Sequence, residues 1–280
     1  MKLIEYKEGM TIEPPCAVVG MPNDTYHAHP AISKSGLDLV NRSLAHFQYS
    51  AKREGTRAME IGSAIHCAIL EPQRFADEYV LLREVKDRRA SEYKQAAKVH
   101  GGEFVLTDKE ADNVAGMQES VRSQYGVPDG HAEVSFFAVC PATGVPVKCR
   151  FDLLTDDGNA IDLKKTQDSS REGFAKSVYN YRYHVQDAFY RYVYELVAGE
   201  QLKSFTFLAV EEQPPHVAMP YDLGQETRQI AEREMVANLE RYAEARETND
   251  WPAYERTDEP LELPAWALAQ YDNDIAEEIH

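Results

Sequence analysis

The apolar positions in the first half of the chain recur at helical spacing. Four of them lie three or four residues apart: Leu37, Val40, Leu44 and Phe47. This spacing predicts one continuous helix, and a similar pattern predicts a second over about 59–70. The sequence Thr107-Asp-Lys-Glu110 is a capping box and predicts a third helix that ends near Gln124. Residues 1–30 contain four prolines and predict an irregular N-terminal arm.

From His131 the period of the apolar pattern changes to two. The elements predicted after that point are three strands, a helix, a strand and a helix, over about 132–140, 147–154, 160–164, 173–198, 203–210 and 223–247. The links between the first three strands are too short for crossovers, so these strands are expected to run antiparallel. The order predicts a mixed α/β fold, α-β-β-β-α-β, with a central mixed sheet and additional N-terminal helices. We expect one domain over 31–250 and an acidic tail over 251–280.

Composition changes this picture mainly through charge. The chain has 30 Lys and Arg against 47 Asp and Glu, a net charge of −17, which excludes a uniformly basic nucleic-acid binder. The excess is uneven, because residues 1–100 carry 14 basic and 13 acidic side chains whereas residues 201–280 carry 6 and 18. Four cysteines without a CxxC pair give no signal of a zinc ribbon or a cysteine-ligated cluster. No signal peptide or bilayer-spanning run is evident, so we expect no membrane partner and a cytoplasmic location.

The strand over 147–154 is predicted to separate polar from apolar side chains, because residues two apart share a face. The polar face is expected to present Lys148, Arg150 and Asp152. The opposite face is expected to present Val147, Cys149, Phe151 and Leu153. The following strand places Asp162 and Lys164 together by the same rule.

A turn centred on Asp157 would make Asp152 and Asp162 cross-strand neighbours, with Cβ atoms about 4.5 to 5.5 Å apart. Two carboxylates at this separation repel each other, and an Mg²⁺ or Mn²⁺ ion would neutralise them. Lys164 beside them would hold a nucleophilic water or stabilise charge on a phosphate. The ordinary alternative is a solvated strand face that carries surface charges.

This arrangement resembles the PD-(D/E)XK nuclease superfamily. Phe151-Asp152 stands where that family has Pro-Asp, and Asp162-Leu-Lys164 stands where it has (D/E)XK. Gly62-Ser-Ala-Ile-His66 is similar to the GxxxH element of the RecB-like branch, with Gly62 expected to let another backbone approach closely. Gln186-Asp-Ala-Phe-Tyr190 is similar to the QxxxY element of that branch. Taken alone, His66 reads as a packed core histidine, and Gln186 and Tyr190 as unremarkable helix residues.

The resemblance implies a set of site residues. The implied metal ligands are His66, Asp152, Asp162 and the backbone carbonyl of Leu163. Lys164 would act in catalysis with both aspartates, and Gln186 and Tyr190 would orient Lys164 and contact a phosphate. Glu133 resembles an acidic residue that some exonucleases of the branch carry near their metals.

Residues 26–38 and 59–72 resemble the RecE-type recombination exonucleases of prophages, and the resemblance covers about residues 20–250. It implies an Mg²⁺-dependent enzyme, with Mn²⁺ able to substitute, that degrades the 5′ strand of linear duplex DNA. The 3′ overhang would pass to a RecT-type single-strand-annealing partner, and the enzyme would be a ring-shaped homotetramer. Basic stretches over 34–57 and 83–98 are expected to guide DNA, through Lys34, Arg88 and Arg89.

Three alternatives remain open at this point. The first is an endonuclease or a single-strand exonuclease of the same fold. The second is a catalytically silent DNA-binding or assembly module. The third is a paired-carboxylate glycosidase, in which Lys164 and His66 have no obvious role.

Overall fold

The structure of the chain is a computed structural model that describes residues 1–51, 55–265 and 267–269. Its strands are β1 (Leu3–Glu5), β2 (Cys16–Val19), β3 (Val80–Leu82), β4 (Val105–Thr107), β5 (His131–Val139), β6 (Pro146–Leu154), β7 (Asn159–Thr166), β8 (Ser204–Glu211) and β9 (Ala218–Asp222). Its helices are α1 (Asn23–Ala28), α2 (Lys34–Arg42), α3 (Leu44–Gln48), α4 (Arg57–Leu70), α5 (Pro72–Glu78), α6 (Ser91–His100), α7 (Asp108–Gln124), α8 (Arg171–Asn180), α9 (Tyr183–Ala198) and α10 (Gln225–Thr248).

Seven strands form one mixed sheet in the order β1-β2-β5-β6-β7-β8-β9, and β3 pairs with β4 separately. The strands β5, β6 and β7 are antiparallel neighbours, as their short links predict. β7 and β8 run parallel, so the chain must cross over between them, and α8 and α9 make that crossover. The predicted mixed α/β fold with a central mixed sheet is confirmed.

Helices cover both faces of the sheet, and a large apolar core lies on each face. The first core packs α2, α9 and α10 against the sheet and includes Leu37, Phe189 and Met235. The second core packs α4 and α7 against the other face and includes Ile65 and Met117. Alternation along β7 directs Ile161 and Leu163 into the second core. Asp162 and Lys164 therefore lie on the face that α9 covers.

The irregular arm predicted over residues 1–30 is wrong, because two strands and a helix form there. β2 pairs antiparallel with β5, and Cys16 faces Phe137 in the register. The prolines that suggested an irregular segment lie before and after β2, so they bound this strand and do not interrupt it. The boundaries proposed for the whole domain stay a prediction.

Two predicted helices are each divided in two. The helix predicted from Leu37 to Phe47 breaks at Ser43, whose hydroxyl accepts a hydrogen bond from the His46 backbone N–H and caps α3. The helix predicted over 173–198 breaks before α9, where Arg182 has a left-handed backbone with φ of 53°. β9 lies outside the predicted strands. It contains Pro220, and an edge strand tolerates a proline that a central strand would not.

The beginning of the predicted acidic tail packs on the domain. Trp251 stacks on Phe47 with ring centroids 6.0 Å apart, and the Pro252 carbonyl accepts a hydrogen bond from the Ala45 N–H. Residues 270–280 of that tail lie outside the described residues. Within the described ranges, no helix has both the length and the apolar character that a bilayer span requires.

Candidate functional site

Regular strand pairing is interrupted where β5 and β6 pass the position of Asp152. The register pairs Ala132 with Leu153 and Val134 with Phe151, but the intervening pair of Glu133 and Asp152 does not form. Glu133 has a left-handed backbone with φ of 52°, an uncommon conformation for a residue with a side chain. The sheet therefore departs from regular geometry at two acidic residues.

The same point breaks the alternation of side chains along β6. Phe151 and Leu154 both belong to the first core, whereas Leu153 belongs to the second. The prediction that Leu153 shares a face with Phe151 is wrong, because the regular pairing with β5 is interrupted between these two residues. Pairing between β6 and β7 is likewise limited to the two residue pairs next to the turn. The pair farther from the turn joins Leu153 and Ile161.

Beyond that last pair, Asp152 reaches β7 through its side chain. Its Oδ2 atom accepts a 2.8 Å hydrogen bond from the Leu163 backbone N–H. Continuing the register would set Asp152 opposite Asp162, as the turn geometry predicts. The two carboxylates do interact, since the charge of Asp152 contributes to a raised pKa of Asp162.

Three potential metal ligands converge from α4, β5 and β6. His66 Nδ1 lies 3.4 Å from Asp152 Oδ2, and ligand atoms of His66, Glu133 and Asp152 all lie within 4.8 Å of one another. All three side chains are half-buried. Glu133, which only the resemblance suggested, thus stands with two of the implied ligands. The group found among the described residues does not include Asp162.

The electrostatics of this group fit a divalent cation. Burial, together with the nearby charge of Asp152, raises the pKa of Glu133 to about 7, although the nearby His66 and Arg150 oppose the shift. A cation bound between the two carboxylates would remove their repulsion. One imidazole nitrogen and two carboxylate oxygens form a donor set that could hold a divalent metal ion.

Asp162 lies at the base of a second, buried group. It is 2% exposed, and its Oδ1 atom accepts a 2.5 Å hydrogen bond from Gln186 Nε2. Its Oδ2 atom lies 2.5 Å from Lys164 Nζ. Burial raises the pKa of Asp162 to about 6, although the Lys164 ammonium lowers it. Gln186, predicted to orient Lys164, contacts the carboxylate that pairs with Lys164.

Tyr190 completes the helix face that carries Gln186. Its ring packs edge-on against Phe151 and Phe205, with centroids 5.2 and 5.6 Å away. Burial raises the pKa of Tyr190 well above its ordinary value, and the phenol therefore stays protonated and able to donate a hydrogen bond. Its contact with a phosphate stays a prediction.

A known family matches most of the chain. The family described as "PDDEXK-like domain of unknown function (DUF3799)" matches residues 34–259. The chain belongs to this PDDEXK-like family. Comparison with curated proteins finds no match.

Solved structures support the same fold. A crystal structure of a candidate exonuclease from Eubacterium rectale is 14% identical in sequence, covers 89% of this chain and 97% of its own, and superposes with a TM-score of 0.54. At that identity the likeness shows the fold alone. The crystal structure of SSO0001 is 11% identical in sequence and covers 71% of this chain and 84% of its own. Its TM-score of 0.28 is too low for any argument.

Two residues of this PDDEXK-like domain complete the site and were not predicted as site residues. Arg150 Nη1 lies 3.7 Å from Glu133 Oε2, and its Nη2 donates to the Met21 carbonyl, so it joins the N-terminal segment to the cluster. The ring of Tyr183 lies 4.6 Å from Lys164 Nζ. Both were detectable in principle, since Arg150 alternates with Asp152 and Tyr183 precedes Gln186 by three helical positions.

Gly62 does not have the role predicted for it. Among the described residues, no atom lies within 4 Å of the position that a Cβ would occupy at Gly62, beyond its own helix and chain neighbours. Within that part of the chain, the prediction of a close backbone approach is therefore wrong. His66 is also 28% exposed, which argues against a fully packed core histidine.

The three predicted DNA-binding residues fall in two places. Lys34 pairs with Asp38 at 2.8 Å, and its Nζ lies 5.9 Å from the Tyr183 ring, close to Lys164. Arg88 donates to the Tyr93 hydroxyl, and Arg89 pairs with Asp87. The hydrogen bonds and ion pairs described for these two arginines stay within residues 87–93, so their role in DNA binding stays a prediction.

Proposed function

We propose that this PDDEXK-like domain is a divalent-metal-dependent nuclease, and specifically an exodeoxyribonuclease of the exonuclease VIII, or RecE, type. It would degrade the 5′ strand of linear duplex DNA and leave a 3′ single-stranded overhang. The observation that carries the proposal is the pair of the buried Asp162 and the half-buried Lys164, beside the cluster of His66, Glu133 and Asp152. The description of the Eubacterium rectale protein as an exonuclease supports the same activity.

His66, Glu133 and Asp152 would hold the metal ion, with Asp162 and the Leu163 carbonyl as predicted further ligands. Bound there, Mg²⁺ or Mn²⁺ supplies Lewis-acid polarisation of a phosphate and lowers the pKa of water. The Leu163 N–H fixes Asp152 through its hydrogen bond and thereby holds this carboxylate toward the cluster.

The remaining steps belong to the side chains of the chain itself. Burial disfavours the ammonium of Lys164, but Asp162 and Asp152 raise its pKa, so it stays charged. A charged donor at this position stabilises the negative charge that develops on the reacting phosphate. Gln186 holds Asp162 and so positions Lys164, while the Tyr190 hydroxyl is available to donate to a phosphate oxygen.

Strand polarity and partners rest on the resemblance of residues 26–38 and 59–72 to RecE-type enzymes. These features are 5′ to 3′ direction, end dependence, transfer of the overhang to a RecT-type annealing protein, a homotetramer and action in the cytoplasm. Light scattering of the purified protein tests the assembly, and a monomer or dimer at micromolar concentration would contradict a tetramer.

One assay tests the activity, the metal requirement and the direction together. Linear duplex carrying a label at either the 5′ or the 3′ end is incubated with Mg²⁺ or with EDTA, beside a covalently closed circle and a labelled single strand, and binding is followed by gel shift. We expect immediate release of the 5′ label in Mg²⁺, late release of the 3′ label, and no reaction on the circle or in EDTA. Cutting of the circle would indicate an endonuclease. Digestion of single strands alone would indicate a single-strand exonuclease, and binding without digestion would indicate a catalytically silent module.

A further inference from the structure

Three aromatic rings stack in a row from the core to the surface beside the site. The buried ring of Phe207 on β8 lies 5.7 Å from the ring of Tyr183, at an interplanar angle of 27°. The ring of Tyr181 lies 5.5 Å from Tyr183 at 28°. Tyr181 is 62% exposed, so the row ends at the surface of the protein.

The row passes Lys164, the group proposed to stabilise charge on the reacting phosphate. Lys164 Nζ lies 4.6 Å from the centroid of the Tyr183 ring and 5.9 Å from that of Phe207. Lys34 Nζ lies 5.9 Å from the Tyr183 ring and donates a 2.6 Å hydrogen bond to the Tyr181 carbonyl. A molecule stacked on Tyr181, the outermost ring of the row, would therefore lie close to the reacting phosphate.

The backbone between the two tyrosines is held in place from several sides. Arg182 separates them and adopts the left-handed conformation, uncommon for a residue with a side chain. Its guanidinium pairs with Asp38 of α2 at 3.1 Å and with Glu234 of α10 at 3.2 Å. The break between α8 and α9, which the sequence did not predict, is thus held by ion pairs to two other helices. It fixes the positions of both tyrosine rings.

A cavity of about 460 Å³ borders the two tyrosines. Its volume lies within the range of about 300 to 1,000 Å³ typical of small-molecule sites. Its charged groups are balanced, because Lys165 pairs with Glu212 at 3.1 Å and Lys176 pairs with Glu172 at 3.0 Å. Asp168 also lines the cavity. The lysines at this cavity are therefore already paired with carboxylates, and Asp168 would repel a phosphate. A flat aromatic group, in contrast, could stack on the tyrosine rings.

We propose that Tyr181 and Tyr183 form a stacking platform for an unpaired nucleobase of the DNA strand at the active site. The proposal rests on the proposed nuclease function and adds a base-binding site to it. Every nucleobase has a π face, so stacking on tyrosine holds a strand whatever its sequence, as degradation of arbitrary DNA requires. A base fixed on Tyr181 would hold the adjoining phosphate in reach of Lys164 and limit its motion before reaction.

The test measures binding without metal, so that it does not depend on cleavage. A short single-stranded oligonucleotide with a terminal 2-aminopurine, whose fluorescence falls when it stacks, is titrated with the full-length protein in EDTA. The variants are Tyr181→Ala, Tyr181→Phe, which keeps the ring, and Tyr179→Ala as the matched control. Tyr179 is a surface tyrosine two residues away, 78% exposed, and does not line the cavity.

We expect Tyr181→Ala to bind at least about fivefold more weakly and to lose the quenching. Tyr181→Phe and Tyr179→Ala should bind and quench as the wild-type protein does. Unchanged binding and quenching in Tyr181→Ala, equal losses in Tyr181→Phe, or an equal loss in Tyr179→Ala would each overturn the platform. Quenching that depends on Tyr181 in a protein that digests no DNA would retain the platform and reject the nuclease function instead.

Discussion

The Leu163 backbone N–H donates a 2.8 Å hydrogen bond to Oδ2 of Asp152. The same Oδ2 atom lies 3.4 Å from His66 Nδ1. One carboxylate oxygen therefore joins two neighbouring strands and also faces the candidate metal site. The structural and the chemical roles of Asp152 are combined in one group, but substitutions can separate them.

Asp152→Asn keeps an oxygen that can accept from Leu163 but removes the charge, whereas Asp152→Ala removes both. Both changes abolish the repulsion with Glu133, so the difference between them excludes that repulsion and includes the hydrogen bond to Leu163. We expect the Asn variant to be more stable than the Ala variant by about 1 to 3 kcal/mol, the usual cost of an unsatisfied buried donor. Urea unfolding measures this difference, and equal stabilities would show that the bond to Leu163 contributes nothing.

Lys164→Ala should remove the charged donor from the reacting phosphate. We expect the rate constant for digestion of linear duplex to fall by about 10²- to 10³-fold, the usual effect of losing one donor at a developing charge. Lys203→Ala is the control, because Lys203 is exposed. Its backbone N–H donates a hydrogen bond to the Gly158 carbonyl, just before β7 begins. A Lys164→Ala enzyme that digests DNA at the rate of the Lys203→Ala protein would contradict the role of Lys164.

The raised pKa of Glu133, about 7, predicts how metal binding depends on pH. The carboxylate must lose its proton to hold a cation, so below pH 7 the proton competes with the metal. The apparent Mn²⁺ affinity should fall by up to about tenfold per pH unit below that value and level off above it. Calorimetric titration at pH 6, 7 and 8 measures this dependence.

Glu133→Gln is the matched variant for that titration. It should bind Mn²⁺ more weakly at pH 8 and show a smaller change between pH 6 and pH 8. The same steep dependence in Glu133→Gln as in the wild-type protein would exclude Glu133 as the group that binds the competing proton.

The helix that carries His66 is tied to α7 by an ion pair whose contribution should depend on pH. Arg57 donates to both carboxylate oxygens of Glu110 at 2.8 and 2.7 Å, and the Thr107 N–H donates to the same carboxylate. Burial would raise the pKa of Glu110, but these donors lower it overall. We expect Glu110→Gln to destabilise the protein by about 1 to 3 kcal/mol at pH 7.

The sign of the pH effect follows from the lowered pKa of Glu110. Its stabilisation is complete above the unfolded value of about 4.5 and is lost as pH falls through the lower folded value. The stability gap between wild type and Glu110→Gln should therefore shrink below pH 4.5 in urea unfolding. The control is Asp112→Asn, at another position of α7, which removes the exposed ion pair between Asp112 and Arg83. It should not change the stability measurably at either pH.

Neutralising Arg88 and Arg89 tests the DNA-binding role predicted for them. If each contacts one phosphate, the double change to Gln should lower the slope of log affinity against log salt by about 1.8. Arg122→Gln is the control, since Arg122 is an exposed arginine on α7 that pairs with Glu119. Fluorescence anisotropy over a salt series measures the slope, and equal slopes for the two variants would remove residues 88 and 89 from the DNA surface.

Much of the fold follows from spacing along the chain. The period of two and the short links predict β5, β6 and β7 as antiparallel neighbours, and these strands form as expected. The capping box at Thr107 predicts the start of α7, and both of its hydrogen bonds are present. Asp162 and Lys164 share a face for the same local reason. Such features depend on residues two to four positions apart, which the backbone geometry of strands and helices brings together.

Other features depend on contacts between distant segments, and spacing could not reveal them. β2 forms because it can pair with the edge of β5. The left-handed backbone at Glu133 occurs where Asp152 does not pair with Glu133 and its side chain accepts a hydrogen bond from β7. The break at Arg182 is held by Asp38 and Glu234 from two other helices. The sequence by itself determined the core strands and the acidic and basic groups of the site. Only the tertiary structure decided which of those groups meet, because burial and long-range pairing outweigh local preference at these positions.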